Sequence, residues 1–314
     1  MTLPGPLGDP LAITPLFQVF AQAVTPIAIV DPKPRPSDSV TAYFPSIVDD
    51  PFLGKPLPEF KQVNQGFIAN CPVTAVLAAM ARAKPADLKN MIAKVTGQLI
   101  AHTPVFPGPP VPPTLRHFFK VTFPGSGPIV VGPLLYKVPR PTQSTDPAEI
   151  MYAHSPGKPS VASWVSLLEK AYVIKKDTSP QPQNKSYSIL DGGGKGLDPI
   201  EVMNDIAGSG AEWILDPAVD PAAVMKSHPW TRIHLAQQFA RANTVPMIAA
   251  TRPDPKDVPA PMLAHHDYAV IGMLPSGKVQ LYNCHELPDS DPTKNPALTM
   301  AEFQKACLMV VLKP

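Results

Sequence analysis

Forty-four of the 314 residues are proline. Each fixes its own φ and lacks an N–H to donate, so a chain this rich in proline is barred from long uninterrupted helices. It must fold as short elements joined by extended, ordered connections. Enough apolar material remains for a large core, since 44% of the residues are hydrophobic. That length and composition suit one large domain or two lobes.

Charge narrows the partners. The net charge is +2, and no run of like charge exceeds Lys175-Lys176. This excludes an electrostatic footprint for nucleic acid or an anionic membrane surface. Three cysteines, an odd number, argue against a disulfide framework and for a reducing compartment. The expected location is cytoplasmic, or that of a protein delivered without a leader. The apolar stretch Leu11 to Val30 is interrupted by Pro15 and Pro26, and no Lys or Arg precedes it. It fits neither an export signal nor a stable membrane insertion. It is expected to pack on the body, with Pro32 to Pro36 as an extended linker.

The chain divides into a helix-rich half and a strand-rich half, which predicts an α+β fold with two lobes. Helices are expected over Cys71–Lys84, Ala86–Leu99, Ser163–Lys176, Asp198–Ala207, Pro221–His228 and His234–Ala242. In the third, Trp164, Leu167, Leu168, Ala171 and Tyr172 share an apolar face, with Glu169 and Lys170 elsewhere. In the fourth, Asp198 reads as N-cap, Pro199 as N1 and Glu201 as the partner in a capping box. Residues 40–58 and 102–113 read as irregular. Strands are expected over Leu115–Phe123 and Pro128–Val138, joined at Gly125-Ser126-Gly127. Others are expected over Val245–Thr251, Asp267–Leu274, Lys278–Asn283 and Leu308–Leu312, with a hairpin turn at Pro275-Ser276-Gly277.

The stretch Gln65 to Met80 concentrates the chemistry. Val73, Val76, Leu77 and Met80 fall at i, i+3, i+4 and i+7, the spacing of one helix face. Pro72 suits a first helical turn. Cys71 is therefore expected at the N-cap, where the helix dipole favours thiolate. The bland alternative is a small buried cysteine that opens a core helix. Far along the chain, His265 and His266 precede one strand, and Asn283-Cys284-His285 end the next. A hairpin brings those two ends together. Cys71 as nucleophile, His266 as base and Asn283 as its orienter would complete a thiol-based site. Gln65, with the backbone N–H of Cys71, would stabilise an oxyanion. The competing reading is a metal site from His265, His266, Cys284 and His285. Adjacent strand residues point to opposite faces, so these four do not converge readily, and no CxxC or HxxxH spacing exists.

These residues resemble the calpain family. Gln65-Gly66-x-x-x-Asn70-Cys71 is similar to its nucleophile signature. Trp164-Val165-Ser166-Leu167-Leu168-Glu169-Lys170-Ala171-Tyr172 is similar to its Trp-x-x-Leu-Leu-Glu-Lys-Ala-Tyr helix and is the most specific match. Met151-Tyr152-Ala153-His154-Ser155, the glycine-rich stretch from Gly192 to Gly208, His266-x-Tyr268-x-Val270-x-Gly272, Asn283 and Phe303 also fit. The match covers about residues 60–314.

The resemblance implies a papain-like, two-lobed cysteine endopeptidase acting on a protein or peptide. Its divisions would be an N-terminal proline-rich segment, 1–59, a helical lobe with the nucleophile, 60–195, and a β-rich lobe with His266 and Asn283, 196–314. Family members carry Trp after the cysteine, where this chain has Pro72. They carry Pro-Trp-Gly after the asparagine, where it has Cys284-His285-Glu286. Asn70 replaces an acidic residue. The family's calcium-binding acidic loops cannot be placed residue by residue and no EF-hand pattern occurs, so no cofactor is expected; calcium stays open as an alternative that the sequence does not support. Two other readings use the same residues: a non-catalytic binding module on this fold, and a thiol transamidase or deamidase.

Overall fold

The computed structural model describes residues 27–36, 42–45, 50–95, 100–103, 118–132, 134–138, 149–157, 161–181, 184–194, 196–218, 229–285, 287–288 and 290–314. Its strands in chain order are β1 Ile27–Val30, β2 Ala42–Pro45, β3 Ile92–Lys94, β4 Ile100–Thr103, β5 Phe119–Val121, β6 Ile129–Val131 and β7 Leu134–Val138. They continue as β8 Glu149–Ile150, β9 Glu212–Leu215, β10 Met247–Thr251, β11 Asp267–Met273, β12 Val279–Tyr282, β13 Ala297–Leu298 and β14 Cys307–Leu312. The helices are α1 Cys71–Ala83, α2 Pro85–Asn90, α3 Trp164–Lys176, α4 Pro199–Ala207, α5 Arg232–Phe239 and α6 Met300–Ala306. Short helices and antiparallel sheets make this an α+β fold.

The main sheet has six strands in the order β13-β12-β11-β10-β14-β9, all neighbours antiparallel. Strand alternation sorts its side chains onto two faces. Ile248, Ala269, Ile271, Tyr282 and Val311 join the core cluster that contains α1. Ala249, Tyr268, Val270, Leu281 and Val310 join a second cluster with Leu235 and Phe239 of α5 and Phe303 of α6. The sheet is thus covered on both faces, and α1 lies against one of them.

Helix α1 is buried continuously from Pro72 to Ala81. Its Val and Leu side chains are each worth roughly 1.5–3 kcal/mol of burial. The alanines between them let it pack on the sheet, on α3 and on α4 at once. Helix α3 is capped by Ser163, whose side chain accepts from the Val165 N–H. All of Trp164 to Val173 is buried, which departs from the amphipathic reading. Glu169 and Lys170 are inside because each has a partner there. Lys170 pairs with Asp31 and donates to the Gly132 carbonyl.

Several expectations need correction. The helix expected over 86–99 stops at Asn90, because Ile92 to Lys94 pair with β5 instead; residues 96–99 lie outside the described set. β5 and β6 form the expected hairpin. The stretch 128–138 is not one strand, however: it breaks at Gly132, and β7 pairs in another sheet with β2 and β8. Residues 40–58 and 102–113 were expected to be irregular, yet they contribute β2 and the end of β4. Strands β9 and β13 have no forerunner in the pattern reading. Asp198 caps α4 through the Ile200 N–H, but Glu201 pairs with Lys176 rather than closing a capping box. The helix expected at 221–228 falls outside the described residues.

The N-terminal segment is more than a linker. β1 pairs in parallel with β4, and Lys33 exchanges backbone hydrogen bonds with Lys185 and Tyr187. Arg35 binds Asp191 at 3.0 Å and reaches the Phe67 carbonyl at 3.4 Å. Among the described residues no helix is long and apolar enough to cross a membrane.

Candidate active site

Cys71 is the first residue of α1, one position later than expected. Asn70 has the non-helical backbone of the N-cap, and its carbonyl accepts from Val73 and Thr74. The Asn70 side chain does not cap the helix. It donates to Glu169 Oε1, while Glu169 Oε2 accepts from the Ala153 N–H at 2.9 Å. The buried carboxylate of α3 thereby fixes the residue before the thiol. Burial raises the Glu169 pKa to about 8, against the lowering effect of both hydrogen bonds.

His266 sits just before β11 and is held by Thr251 of β10. The Thr251 N–H donates to the His266 carbonyl at 2.9 Å, and Thr251 Oγ1 accepts from the His266 N–H at 2.9 Å. The register Val270↔Leu281 puts His266, Tyr268 and Asn283 on one face of the β11–β12 ribbon. His266 Nε2 lies 2.9 Å from Asn283 Oδ1. That oxygen also accepts from the His285 N–H at 3.0 Å. It is therefore an acceptor, and Nε2 carries the ring proton, leaving Nδ1 free to take one. Tyr268 and His285 meet the His266 ring edge-on, at centroid separations of 4.9 and 4.5 Å. Burial, then the neighbouring His285, pull the His266 pKa down to about 3, against the supporting bond to Asn283. The imidazole is neutral at neutral pH.

Gln65 is buried, and its Nε2 donates to the Ile68 carbonyl at 2.7 Å. An amide nitrogen has a second hydrogen, which stays available. Gly66 has φ +36°, and a Cβ there would lie 2.5 Å from the Met151 carbonyl oxygen and 2.6 Å from that of Tyr152. Only glycine fits this close backbone approach. The loop is stitched to the β12 end of the sheet. The Gln65 N–H donates to the Cys284 carbonyl at 2.7 Å, and the Tyr282 hydroxyl to the Val63 carbonyl at 3.0 Å. Lys294, itself buried, bridges the Asn64 side chain and the His285 carbonyl.

Cys71, Gln65 and His266 line one cavity of about 710 Å³, with Met262, His265 and His285. Exposed Phe67 stands at its rim. His265 was expected on the opposite side of a strand from His266. It has φ +53°, precedes β11 and shares the cavity. Among the described residues no group of three or more His, Cys, Asp and Glu is placed to hold a metal ion.

The sequence reading passed over one neighbour of the thiol. Cys71 Sγ lies 3.5 Å from Oδ2 of Asp267, which is buried. Burial first, then this carboxylate, push the thiol well above its ordinary range. Burial also raises Asp267 itself to about 7, with Asp198 adding to it and the thiol's hydrogen bond opposing. Strand parity contained the signal, because Asp267 alternates with Ala269 and Ile271 on the face that meets α1. No family model matches the chain, and no curated protein matches it.

Proposed function

We propose that the protein is a cysteine endopeptidase of the calpain-like, papain-fold type. The observation that carries this reading is the His266–Asn283 hydrogen bond beside the cavity that Cys71 and Gln65 also line. These four residues come from two distant stretches of the sequence and suit the nucleophile, base, orienter and oxyanion roles. Their disposition suits a two-lobed core, with the nucleophile on a buried helix and the histidine and asparagine on a sheet.

In this reading His266 Nδ1 takes the Cys71 proton as Sγ attacks the peptide carbonyl. Negative charge gathers on that oxygen, where the free Gln65 Nε2 hydrogen and the Cys71 N–H stabilise it. The imidazolium then protonates the leaving amine, the C–N bond breaks, and a thioester remains. Water, activated by the same imidazole, releases the acid and restores the thiol. Asn283 holds the ring so that Nδ1, not Nε2, faces the reaction. The three cysteines are free thiols, which suits a reducing compartment such as the cytoplasm.

The test is a proteome incubated with wild-type protein or Cys71→Ala, followed by mass spectrometry of new N-termini. New N-termini that depend on Cys71 support the peptidase. Glutamine residues converted to glutamate or cross-linked, without chain cleavage, identify a deamidase or transamidase instead. An epoxide probe that fails to label Cys71, with no change in any product, leaves a binding module.

A further inference from the structure

We propose that Asp267 is a positioning residue for Cys71, holding the thiol proton when ionised and releasing the sulfur to His266 when neutral. The inference rests on the reading of Cys71 as a reactive thiol, but not on its substrate being a peptide.

Three observations carry it. Strand alternation aims Asp267 at α1, with Ala269 and Ile271 behind it in the core. Its Oδ2 accepts from Cys71 Sγ at 3.5 Å, while no such bond joins the sulfur to His266 among the described contacts. Its Oδ1 is buried with no partner among the described residues. A buried carboxylate kept for stability is ordinarily paired with a cation or fully hydrogen-bonded. This one has the nucleophile as its side-chain partner.

The groups around it cannot neutralise it. From α1 it faces Cys71, from the N-cap of α4 Asp198, from the end of β12 Cys284, and from β14 Cys307. All are acids, and two thiols are themselves pushed up by burial. His266, the residue just before it, is a base, but burial keeps it neutral. An ionised Asp267 therefore opposes a thiolate at contact distance. A protonated Asp267 turns its O–H toward the sulfur and stabilises the same thiolate. The proton that leaves Sγ goes to His266 Nδ1 in either case, and the Asp267 proton count does not change during the step.

The experiment is alkylation of Cys71 by iodoacetamide, in which the sulfur–carbon bond forms and iodide leaves. Rates are read by mass spectrometry of the Cys71 peptide between pH 5.5 and 8.5. Asp267→Asn should react at least about tenfold faster than wild type at pH 8, and within about threefold of it at pH 5.5. The ratio should bend near pH 7. A ratio that does not vary with pH, or a slower variant at pH 8, overturns the proposal. Asp267→Ala removes the same charge and should give the same sign if the Asn form does not fold. Wild-type protein alone gives a further reading: its preference for neutral iodoacetamide over anionic iodoacetate should widen several-fold from pH 5.5 to 8. A constant preference overturns the proposal without any variant. Peptide cleavage is not read here. The expected alkylation profile in a protein that cleaves no peptide would sink the peptidase reading alone, and a flat profile in an active peptidase would sink Asp267 alone.

Discussion

His266 Nε2 and Asn283 Oδ1 meet at 2.9 Å across the β11–β12 ribbon, and a third group, the His285 N–H, fixes which end of the asparagine amide faces the ring. The bond decides the tautomer. Asn283→Ala removes both the orienter and the acceptor that keeps the proton on Nε2. It should lower kcat by about 10²-fold, the scale of a disabled acid–base group, with KM moved much less. Steady-state kinetics on a cleaved peptide measure the split. An unchanged kcat would detach Asn283 from the reaction.

The two adjacent histidines are separable although they line the same cavity. His266 is buried and bonded to Asn283, whereas His265 is exposed. His266→Ala should abolish turnover, by about 10³-fold or more in kcat/KM. His265→Ala should leave most of it. The reverse pattern would mean that the base had been assigned one residue off.

The parts of this site that were legible in the sequence are those governed by local periodicity. The α1 spacing, the Asp198 cap of α4 and the β11–β12 hairpin all follow from rules acting within about ten residues. Cys71, Gln65, His266 and Asn283 stand out in the sequence as candidates because two of them flank a hairpin and two flank a helix start. What escaped depends on pairings between remote segments. Burial of Glu169 and Lys170 requires Asn70, Ala153 and Asp31 to arrive from elsewhere. The short strands β9 and β13 exist through their neighbours in the sheet. Asp267 escaped for the same kind of reason: its parity on β11 was readable, but its contact with Cys71 joins residues 196 apart in sequence.

Gly66 is held at φ +36° with carbonyl oxygens where a Cβ would stand. Gly66→Ala must move either the loop or the Met151–Tyr152 backbone. The left-handed backbone alone costs an alanine about 1–2 kcal/mol, and the displacement adds to it. A loss of more than about 2 kcal/mol in urea unfolding is expected, with activity falling further than stability because Gln65 moves with the loop. Near-normal stability and turnover would show that the close approach has slack.

Glu169 links the site to pH through the fold. Its native pKa is raised to about 8 from the ordinary 4.5, so the folded state binds the proton more tightly than the unfolded chain. The sign is therefore that stability from this group is full below about pH 4.5 and declines as pH rises towards 8. Glu169→Gln abolishes that dependence. Its carbonyl can keep the bond from Ala153, and its amide can meet the Asn70 oxygen, which has no partner among the described residues. The wild-type Tm should lead the variant most near pH 5 and lose that lead by pH 8 to 9. Asp267 has the same sign but is present in both proteins, so it cancels. A Tm difference that stays constant with pH would mean that Glu169 is charged in the folded protein.

Gln65→Ala tests the oxyanion role against a purely structural one. The free Nε2 hydrogen matters only once negative charge has formed on the carbonyl oxygen, so its loss acts on the transition state rather than on bound substrate. A drop in kcat of roughly 10²–10³ with KM little changed is expected. The amide also donates to the Ile68 carbonyl at 2.7 Å, which water entering from the cavity can replace. Stability should therefore fall by no more than about 1 kcal/mol, the net worth of one hydrogen bond. A turn residue without a catalytic role gives the opposite result: a clear drop in Tm and normal turnover in the fraction that stays folded. Measuring kcat and Tm on the same preparation separates the two. A stable variant with unchanged kcat would remove Gln65 from the site and weaken the peptidase reading with it.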